Sequence, residues 1–481
     1  MDSLLCDELL VEIFHRLPPS SYSSLSLVSK RWFHLSRLST TSFSLLIPPS
    51  PSPDHRYSPL LSLSTLLSRC PFISFLSLSS TDHASSYTVS FDQFLMSVSS
   101  SCPNLRHLRF LAGPVSVSSL AALSSSCVHL NSLTLSLSRP LSFSWVASFH
   151  SLKELCIVIS ASRATDVVSE FGRCDRLGRW VLDEFDAELQ LESLSVSGIA
   201  WGDVGMGWLW RNCKKLKKLQ LRSCEGLGDG GSFSSFSKCL YGLREVELRT
   251  CRSIVDGILL RLTEDSTHLT SLLVYDGGSR EGMLRFINQC RSPNLHRLDL
   301  RLPLDLSNDH LAAMAINLRN LSVLSLQSCC LVTGEGLRAF SSAASDMLQE
   351  LGLINCDVVE RVPGLLATLG QNLRRLRRLD LSYNEMLVDK ELTSMLISCG
   401  LLVNLKLRGC KGLTNATMAS ILRNCKCLES VDIMHCCGIE PQAVEMFLLN
   451  SPRLRSVYVD QSMLSDAARI LASTRCIQVV V

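Results

Sequence analysis

From Ile73 almost to the end of this 481-residue chain, a leucine pattern returns about every 26 residues. Each unit reads L-x-x-L-x-L. The units open at Ile73, Leu105, Leu130, Leu152, Leu177, Leu191, Leu216, Leu243, Leu269, Leu295, Leu321, Leu348, Leu376, Leu402, Leu428 and Leu454. From Leu191 onward every step is 25 to 28 residues. A period this constant means that each unit is one supersecondary element whose apolar face is buried only against its neighbours. The chain therefore reads as a solenoid, and a solenoid offers surface for holding other molecules.

A single unit shows which solenoid. In Leu402 to Leu428, Leu405 and Leu407 alternate with Lys406 and Arg408, a short strand with one buried face. Cys410 to Asn415 follows as a turn, and Met418, Ile421 and Leu422 then recur on one helical face. Strand, turn and helix at this period predict an α/β leucine-rich-repeat horseshoe solenoid, with parallel strands on the concave side and helices on the convex side. Two steps are irregular. Leu177 to Leu191 is too short for a helix and two turns, so Asp183 to Gln190 is expected to be a direct loop. Ile73 to Leu105 is long, which places an extra loop near Thr81 to Ser90. The apolar, β-branched tail Cys476 to Val481 is expected to close the last unit as an edge strand.

Thirteen of the 21 cysteines follow the repeat. Cys224, Cys251, Cys329, Cys356, Cys410 and Cys436 sit eight residues after the opening leucine of their units; Cys70, Cys102, Cys127, Cys174, Cys213, Cys399 and Cys425 sit three before. Cysteines locked to the repeat phase fill a tight turn where leucine would be too large. In one unit the later slot holds Asn384, whose amide can bond the backbone of the turn. Reduced, buried thiols point to the cytoplasm or nucleus. The cluster Cys425, Cys427, His435, Cys436 and Cys437 lacks the C-x2–4-C spacing of zinc sites, and two of its members are explained by the repeat. A net charge of +3 gives no bulk case for nucleic acid or a membrane surface. No uncharged apolar run is long enough to span a bilayer, and the acidic N-terminus (Asp2, Asp7, Glu8, Glu12) is unlike a targeting peptide.

The first 45 residues break the repeat. Leu9, Ile13 and Leu17 fall on one helical stripe, which Pro18 and Pro19 end. A second helix, capped by Ser23 or Ser24, would place Leu25, Val28 and Trp32 on one face. Two short helices with surplus apolar residues leave some for a partner to cover. This segment resembles the F-box, with its pattern L-P-x-E-L/I-L-x-x-I-F-x-R-L-P, a spacer, then L-x-x-V-S/C-K-x-W. Glu8-Leu9-Leu10, Ile13-Phe14, Arg16-Leu17-Pro18, Leu25, Val28-Ser29-Lys30 and Trp32 all match; the opening Leu-Pro is Leu5-Cys6 here. With cysteine-phased repeats behind it, the chain resembles the F-box/leucine-rich-repeat family of plant type. The layout is then an all-α F-box over 1–45, a Pro/Ser-rich linker over 46–60, and a solenoid of 15–16 units over 61–481 with its cap at 463–481.

The resemblance implies a non-catalytic substrate receptor of an SCF-type (Skp–cullin–F-box) ubiquitin ligase. Leu5, Cys6, Leu9, Ile13, Leu17, Pro18, Val28 and Trp32 would dock a Skp-type adaptor, and through it a cullin. A target protein would bind the concave face, where strand residues alternating with the leucines point. In the early units these are small: Ser77, Ser79, Ser132, Thr134, Ser136, Ser193, Ser195 and Ser197. Later they are Lys218, Gln220, Arg222, Glu245, Glu247, Arg249, Arg297, Asp299, Arg301, Arg378, Asp380, Lys406, Arg408, Asp432, Tyr458 and Asp460. Mixed charge suits a protein partner; a nucleic-acid groove would be uniformly basic. No cofactor is expected. Some plant hormone receptors of this family hold an inositol polyphosphate, but no residues here transfer that site. A non-ligase scaffold and a ligand-dependent receptor stay open as alternatives. Gly226 to Gly231 spells G-x-G-x-x-G, yet it lies in a repeat turn and not in the strand–helix context of a dinucleotide site.

Overall fold

The computed structural model describes residues 5–17, 21–47, 59–80, 91–160, 186–229, 233–301 and 306–481. The chain divides into two compact units, Met1–Cys239 and Leu240–Val481. Cys174, Leu177, Pro18, Pro19, the stretch 81–90 and most of the 46–60 linker lie outside the described residues.

The first unit begins with three helices, α1 (Asp7–Arg16), α2 (Tyr22–Val28) and α3 (Lys30–Ser39), where the sequence suggested two. The extra break falls at Ser29. Its backbone is extended and its Oγ accepts from the Trp32 N–H at 3.1 Å, so it caps α3. The core of this module is Leu10, Phe14, Leu25 and Leu35, with Leu5, Val11, Leu17 and Trp32 partly buried around it. Phe14 and Trp32 pack against each other with tilted rings, their centroids 5.3 Å apart. Arg31 ties the start of α1 to α3, donating to Asp7 and to the Leu5 carbonyl at 2.8 Å.

Seven strands follow in this unit: β1 (Ser42–Ile47), β2 (Phe75–Ser80), β3 (His107–Pro114), β4 (Ser132–Leu137), β5 (Glu154–Ile159), β6 (Ser193–Ser197) and β7 (Lys218–Arg222). Each pairs in parallel with the next in sequence. The sheet starts with β1 at Ser42, directly after α3. The register Ser42↔Phe75 sets Thr40 in the slot filled by Ile73 in the next rung, so no leucine opens this unit. β5 pairs directly with β6, Glu154 facing Ser193, across the irregular interval around Leu177.

The second unit carries β8 (Glu245–Arg249), β9 (Ser271–Tyr275), β10 (Arg297–Arg301), β11 (Val323–Gln327), β12 (Glu350–Ile354), β13 (Arg378–Asp380), β14 (Asn404–Lys406), β15 (Ser430–Asp432), β16 (Ser456–Tyr458) and β17 (Gln478–Val480). All adjacent pairs are parallel. β17, in the tail, forms the edge strand. Helices such as Val255–Asp265, Gly334–Ala343 and Asn415–Asn424 return each strand to the next, with apolar stripes turned to the core. The architecture in both units is the α/β solenoid type anticipated from the period. Alternate strand residues are buried: Leu298 and Leu300, Leu324 and Leu326, Leu351 and Leu353.

The turns after six of the later strands repeat one device. Ser223, Thr250, Ser328, Asn355, Tyr383 and His435 all adopt a left-handed backbone, with φ from 49° to 63°. The next residue turns inward, and there sit Cys224, Cys251, Cys329, Cys356, Asn384 and Cys436, all buried. Four thiols at this slot donate back to the preceding rung, among them Cys224, which reaches Val196 O at 3.7 Å. Cys410 reaches Leu381 O at 3.1 Å, Cys436 reaches Leu407 O at 3.0 Å, and Cys356 reaches Leu326 O at 3.6 Å. Asn384 replaces the thiol with a fuller set. Its Nδ2 donates to Leu353 O and Leu381 O, both at 2.8 Å, and its Oδ1 accepts from the Cys356 N–H at 2.9 Å. The cysteine at this slot thus works as a small buried donor linking rungs, which explains why it follows the repeat.

Candidate functional site

Two surfaces collect the residues that the sequence singled out. The first is the helical module. Leu10 and Phe14 point into its core, so the stripe Leu9, Ile13 and Leu17 is not the buried face of α1. Leu9 and Ile13 are exposed; Leu17 is half-buried against the core. Val28 ends α2 and is exposed, while Trp32, on α3, packs inward, so these two do not share a face. Leu5 also leans on the core. Among the described residues of the module, Leu27 is the most exposed apolar one, at 85 %. The sequence reading passed over it because one continuous second helix would have put it on a polar face. Leu9, Ile13, Leu27 and Val28 are left exposed on the module. Cys6, where an F-box carries proline, is the N-cap of α1 at φ −71° and ψ 164°. Those are angles that proline also adopts, so the backbone there keeps the geometry without the ring.

Residues 3–41 match the F-box domain. The exposed leucines, isoleucine and valine are therefore the outer surface of an F-box, and Leu10, Phe14, Leu25 and Leu35 are its core. No curated protein matches the sequence. Among solved structures, the chain is similar to the leucine-rich-repeat protein LegL7 of Legionella pneumophila, at 15 % identity and TM-score 0.38, over 51 % of this chain and 85 % of that one. It is also similar to a chain of the yeast Rad7 and Elc1 complex, at 15 % identity and TM-score 0.38, over 96 % and 90 %. A third is the internalin InlF of Listeria monocytogenes, at 12 % identity and TM-score 0.31, over 96 % and 93 %.

The second surface is the open face of the sheet, opposite the helices. In the first unit it is lined by Ser77, Ser79, Ser132, Thr134, Ser136, Ser193, Ser195 and Ser197, all half-buried, with Lys218 and Arg222 on β7. In the second unit it is charged. Glu245 on β8 is exposed, and Tyr458 on β16 is half-buried. Between them a depression of about 370 Å³ crosses β10 to β14, lined by Arg297, Asp299, Arg301, Ser325, Glu350, Gly352, Arg378, Asp380 and Lys406 among others.

Its charges are organised in pairs that sequence order did not reveal. Glu350 accepts from Arg378 on the adjacent strand and from Arg297 at 3.3 Å, two strands away, across Val323. Asp299 holds Arg301 by two bonds of 3.1 Å, and Asp380 lies 3.6 Å from Lys406. Farther along, Arg408 pairs with Asp432 at 3.1 Å, His435 with Asp460 at 3.1 Å, and Arg249 with Glu247. Hydrogen bonding to Asp299 raises the Arg301 pKa against the opposing effect of burial, so this cation is firmly charged. Glu350, Ser325 and Gly352 were missed by the sequence reading. Their signal was their place on alternate positions of β11 and β12, but only Ser and Gly at neighbouring rungs make a hollow.

Among the described residues, no group of three or more His, Cys, Asp and Glu side chains is placed to hold a metal ion. Within the Cys425–Cys437 cluster, Cys425 and Cys436 are buried in their repeat slots while Cys437 lies on the surface. Among the described residues no helix is long and apolar enough to cross a membrane. Gly226 and Gly228 belong to the turn after β7, where the Leu227 carbonyl accepts from Trp210 Nε1 at 2.8 Å; Gly230 and Gly231 lie outside the described residues.

Proposed function

We propose that this chain is the substrate-recognition subunit of an SCF-type E3 ubiquitin ligase. The F-box binds a Skp-type adaptor and through it a cullin. The open face of the repeats holds a target protein for ubiquitination and proteasomal degradation by partner enzymes. The chain supplies binding and orientation and catalyses no step itself. The observation that carries this reading is the F-box match over residues 3–41, joined to the apolar surface of Leu9, Ile13, Leu27 and Val28 that this module leaves uncovered. A partner that buries apolar side chains gains roughly 1.5–3 kcal/mol for each one fully covered. The described cysteines are all free thiols, which suits a role in the cytoplasm or nucleus.

The test is a quantitative pull-down from cell extract with the proteasome blocked. Full-length wild-type chain is compared with Leu9→Ala/Ile13→Ala. Both side chains are exposed, so the pair weakens docking and leaves the F-box core in place, which circular dichroism verifies. Adaptor and cullin should be retained by the wild type and lost from the double variant. Adaptor absent from both baits would sink the ligase reading and leave a repeat scaffold.

A further inference from the structure

The ion pairs on the open face of the second unit share an order of depth. Asp299 keeps 9 % of its side-chain surface against 33 % for Arg301, and Glu350 keeps 22 % against 60 % for Arg378. The carboxylate is also the deeper partner in Lys406–Asp380, Arg408–Asp432 and Arg249–Glu247. The cause is chain length. Asp and Glu root their short side chains near the sheet, while Arg and Lys lift their charged heads above it on apolar stems. A ligand approaching this face meets cations first. The carboxylates beneath already have partners, and they hold those cations in place, so little side-chain freedom is lost on binding. The depression itself is lined by four cations (Arg297, Arg301, Arg378, Lys406) and three carboxylates (Asp299, Glu350, Asp380), one positive charge in surplus. At its centre the floor carries only the two smallest side chains of the lining, Ser325 and Gly352.

We infer that this depression is a seat for an anionic side chain of the target, a carboxylate or a phosphomonoester, carried on an extended segment. The inference rests on the proposed role of the open face in holding a target. The anionic group would sit over Ser325 and Gly352, whose row neighbours Asp299 and Asp380 are already paired with Arg301 and Lys406, and it would meet Arg297 and Arg301 from one side and Arg378 and Lys406 from the other. Guanidinium forks suit both carboxylate and phosphate oxygens. Five strands at about 4.8 Å spacing give a length of roughly 19 Å, which an extended chain covers in about five or six residues. A cationic segment fits poorly, because it would have to displace bound arginines to reach the acids below.

The test uses the full-length chain and fluorescein-labelled ten-residue peptides: an oligoglutamate, a Gly/Ser peptide with one central phosphoserine, the same peptide unphosphorylated, and an oligolysine. Binding is followed by fluorescence anisotropy at two salt concentrations. At least one anionic probe should bind, more weakly at high salt, and the unphosphorylated and oligolysine peptides should not. Arg297→Ala/Arg378→Ala and, separately, Gly352→Glu should each weaken it by about tenfold or more. Arg280→Ala, which removes a cation from the helix Arg280–Gln289, should leave it unchanged. The stronger anionic arm tells carboxylate from phosphate. Failure of both anionic probes, equal binding of oligolysine, or anion binding indifferent to both open-face variants would overturn the inference. Adaptor capture is measured on the same preparations. Capture without anion binding rejects the seat alone; anion binding without capture rejects the ligase role alone.

Discussion

Asn384→Ala probes the device that joins the rungs. Asn384 is buried, and its amide makes three hydrogen bonds within 2.9 Å, to Leu353 O, Leu381 O and the Cys356 N–H. Each such bond contributes about 0.5–1.5 kcal/mol net, and a buried N–H left without a partner costs about 1–3 kcal/mol. The expected loss is about 3 kcal/mol, in a unit of roughly 240 residues. At 2–4 °C per kcal/mol for that size, the melting temperature of the second unit falls by about 6–12 °C. Asn384→Cys should lose only about half as much. A thiol at this slot donates to the preceding rung, as Cys410 and Cys436 do, but it is a poor acceptor for the Cys356 N–H. Thermal and urea unfolding of the full chain by far-ultraviolet circular dichroism measures both. An alanine variant within 1 kcal/mol of wild type, or a cysteine variant no better than alanine, refutes the hydrogen-bond account of the slot.

Other consequences follow from the same structure. Leu10→Ala should destabilise the F-box by about 2–5 kcal/mol, while Leu9→Ala, one residue away but exposed, should change stability by less than about 0.5 kcal/mol; urea unfolding of the two variants separates core from docking surface. Thr250 holds a left-handed backbone at φ 54° with a β-branched side chain, so Thr250→Gly should stabilise by about 1 kcal/mol in the same assay. Burial raises the Asp389 pKa, but hydrogen bonds from the Thr414 N–H at 2.9 Å, Thr414 Oγ1 at 2.7 Å and Thr417 outweigh it and hold the carboxyl below its ordinary value. A depressed native pKa gives stability that is full above the unfolded value of about 3.9 and is lost as pH falls through the native one; Asp389→Asn should flatten that acid limb of the unfolding curve. Burial pushes the thiols of Cys102, Cys410, Cys425 and Cys436 up to about 12, so iodoacetamide at pH 8 should label exposed Cys330, Cys437 and Cys476 long before them, as read by peptide mass spectrometry.

The 26-residue period settled the main architecture before any coordinates. It fixed the strand positions from β2 onward wherever the leucines are intact, because a leucine at every rung is a local signal repeated down the chain. It also gave the phase of the cysteines, though not their task. It could not show the shared left-handed turn residue, since Ser, Thr, Asn, Tyr and His all occupy that position and only the backbone unites them. Thr40, standing where a leucine is usual, hid β1.

The sequence alone determined that a helical module precedes a repeat sheet, and which residues alternate onto the open face, because both follow from periodicities of 2, 3.6 and 26 read along one chain. Tertiary structure alone decided which face of α1 is buried, because Leu9–Ile13 and Leu10–Phe14 are equally helical stripes until α3 brings Trp32 against one of them. It alone decided how the open-face charges pair. Glu350 joins Arg297 from two strands away and Arg378 from the next, a choice set by lateral neighbours 53 and 28 residues distant in sequence. The depth order that leaves cations above carboxylates also belongs to the folded sheet, where side chains of different length rise from a common floor.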